Sequence, residues 1–169
     1  YLGFAHLAEA HGVDFAGRTV LILGTGDLGS NVAKRLRGFG TVNIGVRRAA
    51  GETLPYFDEV RGIAELDELL PQADIVIGCL PNTPGTAGLL TETRLRRMKQ
   101  DALLVNVGRG TLLSTAELAA VLADGHLSGA VLDVCDTEPL PPSSPLHSSH
   151  PDRKVSRKIR LRSEGASAP

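Results

Sequence analysis

The sequence predicts an α/β chain, a doubly wound parallel sheet, and three observations carry that expectation. Short runs of β-branched and aliphatic residues recur at 19–23 (TVLIL), 41–46 (TVNIGV), 74–80 (DIVIGCL), 102–107 (ALLVNV) and 129–134 (GAVLDV). Runs of that kind are the mark of strands covered on both faces. Stretches of helical spacing separate them, and strands that alternate with helices join in parallel. The first run also feeds directly into Gly24-Thr25-Gly26-Asp27-Leu28-Gly29, a G-x-G-x-x-G between a strand and a helix.

Taken in order, residues 1–14 form an N-terminal helical segment, with Leu2, Ala5, Ala8 and Ala10 among polar residues. Gly12 and Gly17 lead into the first strand. In the glycine loop, Gly24 permits a tight turn, Gly26 lets a pyrophosphate approach the backbone, and Gly29 lets helix and strand pack closely. The helix that follows presents Leu28, Val32, Leu36 and Phe39 on one face. Its N-terminus offers N–H groups and a positive dipole end to phosphates. The strand–glycine loop–helix context makes the expected domain Rossmann-like and dinucleotide-binding. Gly38 and Gly40 punctuate before the second strand, and residues 47–62 read as a loop carrying Gly51, Pro55 and Gly62. Residues 63–70 read as a short amphipathic helix stopped by Pro71. After the third strand, Leu80-Pro81 and the loop NTPGTAG (82–88, with Thr86) precede a helix through Leu95 and Met98. The fourth strand closes on Val107-Gly108-Arg109-Gly110. Ser114 with Glu117 three residues on predicts a capping box for the helix at 115–125. In doubly wound sheets ligands sit at the carboxyl ends of strands. Gly24, Arg47, Leu80, Arg109 and Asp133 all fall at or just past such ends.

The bulk properties exclude several classes. The chain has 169 residues, enough for one domain with a real core, and no apolar run long enough for a membrane span. No secretory leader is visible, since His and Glu interrupt the start, and the expected location is the cytoplasm. The first residue is Tyr1, so a fragment or processed chain is expected. Two cysteines, Cys79 and Cys135, fit buried thiols of a reducing cytosol better than a disulfide. Residues 1–150 hold 12 Lys/Arg against 17 Asp/Glu, whereas residues 151–169 hold six against two. Residues 147–169 are accordingly expected to be a disordered basic tail, and with no interleaved aromatics no nucleic-acid partner is expected.

Three separated motifs add a resemblance. VNVGRG (105–110), within MKQDALLVNVGRG (98–110), and LDVCDTEP (132–139) follow the glycine loop in order. Together they resemble the cofactor domain of the D-isomer-specific 2-hydroxyacid dehydrogenases, from about Phe15 to Leu146. The resemblance implies a dinucleotide-binding domain over 15–146, with the substrate domain missing. It further implies an oxidoreductase acting on CH–OH donors, which passes a hydride between a nicotinamide cofactor and a small D-2-hydroxy or 2-oxo acid. Arg109 matches the arginine that binds the substrate's carboxylate and carbonyl. Glu138 matches the carboxylate that pairs with a catalytic histidine, and Asp133 a residue near the nicotinamide. The residue types suit those tasks, because a planar guanidinium grips a 2-oxo acid in bidentate fashion. A carboxylate beside an imidazole, in turn, keeps an acid available at neutral pH.

Gly24, Gly26, Asp27, Leu28, Gly29, Leu80, Pro81, Thr86, Val107, Gly108 and Asp133 complete the expected cofactor site together with Arg47 and Arg48. An NAD-preferring domain carries Asp or Glu at the end of the second strand to hold the ribose 2′-hydroxyl. This chain has Val46-Arg47-Arg48 there, which favours NADP over NAD. The resemblance implies pairing through the cofactor domain, and the otherwise uncovered apolar stripe of residues 1–12 fits the homodimer expected from it.

The family's third catalytic residue, a histidine in a T-P-H context about twenty residues past Glu138, is not found. Arg157 and Lys158 stand near its place, after the likeness gives way to HSSHPDRKVSRKIRLRSEGASAP. That switch suggests a changed reading frame or a truncated gene. His147 and His150 lack the motif and any third ligand, so no metal is expected. The expected chain binds cofactor and turns over hydroxy acids slowly or not at all. Two alternatives stay open: a non-catalytic dinucleotide-binding dimerisation module, as in the family's transcriptional corepressor relatives, and a formate dehydrogenase-like enzyme.

Overall fold

The first apolar run becomes β1 (Thr19–Leu23), and its residues Val20–Leu23 are wholly buried. Successive side chains of a strand point to opposite faces. Val20 and Ile22 accordingly enter one core with Ala33, Leu36, Phe57, Ile75, Ile77 and Val105. Leu21 and Leu23 enter a second core with Ile44, Val46, Val76, Leu90 and Leu104. A strand covered on both sides requires a sheet with layers above and below it. This computed structural model, which describes residues 15–147 and 155–157, has that architecture.

β1 pairs in parallel with β2 (Val42–Arg47) on one side and with β4 (Ile75–Gly78) on the other. β3 (Glu59–Gly62) lies beyond β2; β5 (Leu103–Asn106) and β6 (Gly129–Leu132) lie beyond β4. With β7 (Val155–Arg157) the order is β3-β2-β1-β4-β5-β6-β7, every pair parallel. The order reverses between β1 and β4, the point at which doubly wound sheets open a ligand crevice. The helices are α1 (Asp27–Leu36), α2 (Leu66–Leu69), α3 (Glu92–Leu95) and α4 (Thr115–Ala123). The fold is α/β and Rossmann-like, as the strand–helix alternation implies.

Several local expectations are corrected. The second strand runs one residue later than its apolar run suggests, and β3 forms inside the stretch read as a loop. β3 alternates exposed Glu59 with buried Val60, and charges of that kind suit a strand on the sheet's edge. Phe39 does not join the α1 face; it is 51% exposed and meets only the rim of the core, its ring 5.6 Å from that of Phe15. The buried face of α1 is Gly29, Ala33 and Leu36. Helix 63–70 is a single α-turn between two 3-10 turns, the second containing Pro71. Val155–Arg157, within the stretch expected to be disordered, extends the sheet instead, because pairing along the edge of β6 is made by backbone groups alone. The expected helix at residues 1–12 lies outside the described residues.

Two polar devices hold the frame. Asn43, fully buried in β2, donates from Nδ2 to the carbonyls of Ala33 and Tyr56 and accepts from Thr41, joining α1, β2 and the loop before β3. Asp74, just ahead of β4, accepts the Thr19 N–H at 2.8 Å and the Lys99 ammonium at 3.0 Å. Burial pushes the Asp74 carboxyl up, but the Thr19 amide, Lys99 and Arg18 outweigh it and hold it below the usual carboxylate value.

Candidate functional site

The carboxyl ends of β1, β4, β5 and β6 are stitched to one another by backbone bonds just past the strands. Cys79 N–H donates to Leu23, Val107 N–H to Gly78 and Asp133 N–H to Asn106, at 2.8, 3.1 and 2.9 Å. Gly24 N–H donates to Val46 at 2.8 Å and so fixes the start of the glycine loop against β2. Along this edge the structure gathers Gly24–Gly29, Arg47–Arg48, Leu80–Pro81, Val107–Arg109 and Asp133, which are separated by as many as 109 positions in the sequence.

The three glycines of the loop have three different reasons to be glycine. Gly24 takes φ +104°, a conformation that side chains disfavour, and a Cβ there would stand 3.0 Å from the Cys79 carbonyl oxygen. A Cβ on Gly29 would lie 1.9 Å from the Gly24 carbonyl oxygen, so α1 can sit this close to β1 only without a side chain. Gly26 is different: a Cβ there would meet nothing within 4 Å, and its backbone is extended. No protein atom requires a glycine at Gly26. The space it leaves faces the start of α1, whose N-terminus carries no side-chain cap. Uncapped helical N–H groups beside an open backbone make an anion seat. The residues present therefore fit a dinucleotide's pyrophosphate. Asp27 and Leu28 occupy the first turn, Asp27 exposed and Leu28 half-buried.

At the end of β2, Arg47 and Arg48 are both exposed. The Arg47 guanidinium curls back over Gly51, 3.8 Å from where a Cβ on that residue would be, and a Cβ on Gly62 would lie 3.3 Å from the Ala50 amide nitrogen. The 47–51 loop is thereby folded over the end of β3, with two guanidinium groups at its base; β2 itself ends without an acidic residue, and the Glu65 carboxylate accepts the N–H of Gly62, the register partner of Arg47, at 2.9 Å.

The β5 end is built to hold Arg109. Asn106 is 1% exposed; its Oδ1 accepts the Gly108 N–H at 3.2 Å and its Nδ2 donates to the Arg109 carbonyl at 3.0 Å. A Cβ on Gly108 would stand 2.8 Å from the Leu80 carbonyl oxygen, and one on Gly110 would stand 1.7 Å from that of Cys135. Arg109 is the side chain between two glycines whose own side chains are forbidden. It is exposed, and its guanidinium donates to the Gly108 carbonyl at 2.9 Å. Asn106 was legible only as part of the N-x-x-R motif; a buried asparagine at a strand's end is the signal that marks it as the holder of the turn.

Other expected residues take structural tasks. The Thr86 hydroxyl donates to the Pro81 carbonyl at 2.6 Å and accepts the Thr83 N–H at 2.9 Å, closing the loop that follows β4. Glu138 accepts the Cys135 N–H at 2.8 Å and is exposed. The expected capping box is absent from α4. Ser114 is the N-cap but makes no side-chain cap bond, and Glu117 reaches across to accept the Glu92 N–H of α3 at 2.9 Å. The first N–H of α4 goes to Asp136 instead, at 2.9 Å. Cys79 and Cys135 are both thiols, and burial pushes that of Cys79 up to about 12. The register of β7 sets Arg157 beside Leu132, one residue ahead of Asp133.

A parallel sheet with a glycine loop at its first strand and an anion seat on the helix behind it defines a dinucleotide-binding domain. The comparisons carry the identification further. Residues 4–155 match the family model described as D-isomer specific 2-hydroxyacid dehydrogenase, NAD binding domain. The chain belongs to that family, whose members are oxidoreductases acting on CH–OH donors. A D-isomer specific 2-hydroxyacid dehydrogenase from Xanthobacter autotrophicus Py2, solved in complex with NADPH and MES, is 32% identical with a TM-score of 0.79, over 95% of this chain and 52% of that one. A probable 2-hydroxyacid dehydrogenase from Rhizobium etli CFN 42, in complex with NADP, HEPES and L(+)-tartaric acid, is 28% identical with a TM-score of 0.79, over 91% and 53%. An uncharacterized protein in the proB 3′ region of Corynebacterium melassecola is 38% identical over 129 residues, 76% of this chain and 42% of that protein. The chain thus spans about half the length of the relatives it matches.

Proposed function

We propose that this chain holds NADP in preference to NAD and presents Arg109 to a small 2-oxo or 2-hydroxy acid. The observation that carries the cofactor half is the open backbone at Gly26 beside the uncapped start of α1. The pyrophosphate rests there, with Gly24 and Gly29 fixing the loop. Arg47 and Arg48 take the 2′-phosphate, since two exposed guanidinium groups suit a dianion and β2 does not end in the acid that would hold a 2′-hydroxyl. Leu80, Pro81, Val107 and Gly108 line the nicotinamide side, and Thr86 acts there by shaping the Pro81 loop. A bound nicotinamide supplies the hydride. Arg109 orients the substrate carboxylate and polarises the carbonyl, Asp133 stands beside the nicotinamide, and Glu138 pairs with the proton donor.

That donor is not among the described side chains at this edge. The imidazole of His126 lies elsewhere, bonded to the Met98 carbonyl at 2.9 Å. A positioned general acid contributes about 10²–10⁴-fold in rate, so the chain binds cofactor and turns over slowly or not at all. The protein acts in the cytoplasm as a homodimer on this reading. No described helix is long and apolar enough to cross a membrane.

The cofactor preference is tested by Arg47→Asp combined with Arg48→Ala. Hydrogen bonds to charged groups contribute about 1.5–3 kcal/mol each, so NADPH affinity should fall by roughly tenfold to a hundredfold or more while NADH affinity holds or improves. Equal affinities for the two cofactors in the parent chain, measured by calorimetry, would refute the preference.

A further inference from the structure

The turn after β6 does more than carry Glu138. Within Cys135–Glu138, Cys135 and Asp136 meet the Arg109 turn and α4, while Glu138 ties the stretch to itself. The Cys135 carbonyl and the Asp136 nitrogen form the wall against which Gly110 packs, where a Cβ would stand 1.7 and 2.8 Å away. The Cys135 N–H is held by Glu138. The carboxylate of Asp136 reaches 21 positions back in the sequence, accepting the Thr115 N–H at 2.9 Å with one oxygen and the Thr115 hydroxyl with the other. Thr115 opens α4, and the chain between Arg109 and Thr115 is only a 3-10 turn, Gly110–Leu112, and two residues. The Arg109 turn is therefore fastened at both ends to the same short stretch, by steric contact at Gly110 and by a charged clasp at Thr115.

The clasp is built for an ionised carboxylate. Burial pushes the Asp136 carboxyl up, but the Thr115 hydroxyl and the backbone N–H groups of Thr115, Thr137 and Asp136 itself outweigh it and hold it below the usual value. Ser114, placed to cap α4 locally, is not used for that purpose. A remote carboxylate in its stead fixes where the helix begins relative to the β6 turn, which a local cap cannot do.

We infer that Asp136 is a positioning residue, whose clasp on Thr115 holds the Arg109 turn in register with the Glu138 turn. Its consequence for ligands rests on the reading of Arg109 as the substrate-carboxylate residue; its consequence for the chain does not. The Leu112 N–H bonds to the Arg109 carbonyl at 3.2 Å, and the Gly88 N–H to the Thr111 carbonyl at 2.8 Å. Both amides report on the turn and lie outside α4.

The test is amide hydrogen exchange on Asp136→Ala, Thr115→Val and Thr115→Ser, each compared with the parent. In Asp136→Ala exchange at Leu112 and Gly88 should accelerate by about tenfold or more, the scale of one lost hydrogen bond to a charged group. Thr115→Val, which keeps the N–H and loses the hydroxyl, should fall between; Thr115→Ser should match the parent. Acceleration confined to residues 115–118 would make Asp136 a helix cap and nothing more, and would overturn the inference. Should Asp136→Ala fail to fold, Thr115→Val decides by the same two amides. In parallel, oxamate titrated into the NADPH-loaded chain should bind about tenfold more weakly in Asp136→Ala, with NADPH affinity within about twofold of the parent. If the loaded parent binds no oxamate, the Arg109 assignment falls while the exchange pattern still decides the clasp.

Discussion

Alanine at Gly26 should weaken NADPH binding about a hundredfold while leaving the fold intact, and alanine at Gly29 should destabilise the fold and weaken binding together. The two positions lie three residues apart in one motif, so motif membership alone predicts no difference between them. The structure does. A methyl group on Gly26 enters space that no protein atom occupies within 4 Å, in a backbone conformation open to any residue. Its cost to the chain is at most the loss of a tolerable N-cap residue, about 1 kcal/mol or less. Its cost to a pyrophosphate drawn onto the same backbone is direct overlap, and an affinity loss of about a hundredfold, or about 2.7 kcal/mol, is expected. On Gly29 the same methyl group would stand 1.9 Å from the Gly24 carbonyl oxygen. Backbone must move, α1 leaves β1, and overpacking of this kind costs about 1–3 kcal/mol or more before any ligand is added. Thermal melts beside NADPH fluorescence titrations separate the two. A Gly26→Ala protein that binds NADPH like the parent would show that the open backbone is not the phosphate seat.

Gly110→Ala should be among the most damaging single added methyl groups at the described glycines. It would lie 1.7 Å from the Cys135 carbonyl oxygen and 2.2 Å from the carbon that bears it, an overlap with backbone on both counts. No rotamer relieves a Cβ contact. Either the Arg109 turn or the Cys135–Glu138 turn must be displaced, and with it the packing of β5 against β6. A loss of about 3 kcal/mol is expected, which for a domain of this size lowers Tm by about 6–12 °C. Gly85→Ala is the matched control, because a Cβ there meets nothing within 4 Å. A Gly110→Ala protein that melts within about 2 °C of the parent would contradict the packing described for this turn.

What the sequence disclosed and what it hid divide along the range of the interactions concerned. β1 and the glycine loop were legible because their causes are local: an apolar run, a fixed glycine spacing, a helical pattern directly behind. β3 was hidden because four residues with two charges, the last of them a glycine, carry little periodic signal, and its strand character comes from the β2 edge. The capping box misled for a physical reason. Ser114 and Glu117 have the right spacing, but each cap group has a competitor from elsewhere in the fold, Asp136 for the α4 amide and the α3 terminus for the Glu117 carboxylate. Asn106 is not singled out by the sequence, because its bond to the Arg109 carbonyl is visible only in the fold, as is the bond of the Thr86 hydroxyl to the Pro81 carbonyl. The pair of arginines at 47 and 48 is a local fact of the sequence, and the structure shows both exposed at the β2 end.

The central claim is that this edge of the sheet seats a dinucleotide, and calorimetric titration of the parent chain with NADPH tests it most directly. The account predicts saturable binding at one site per chain, tighter than for NADH under the same conditions. Absence of any saturable heat up to about 1 mM NADPH, a free energy of binding weaker than about −4 kcal/mol, would contradict it.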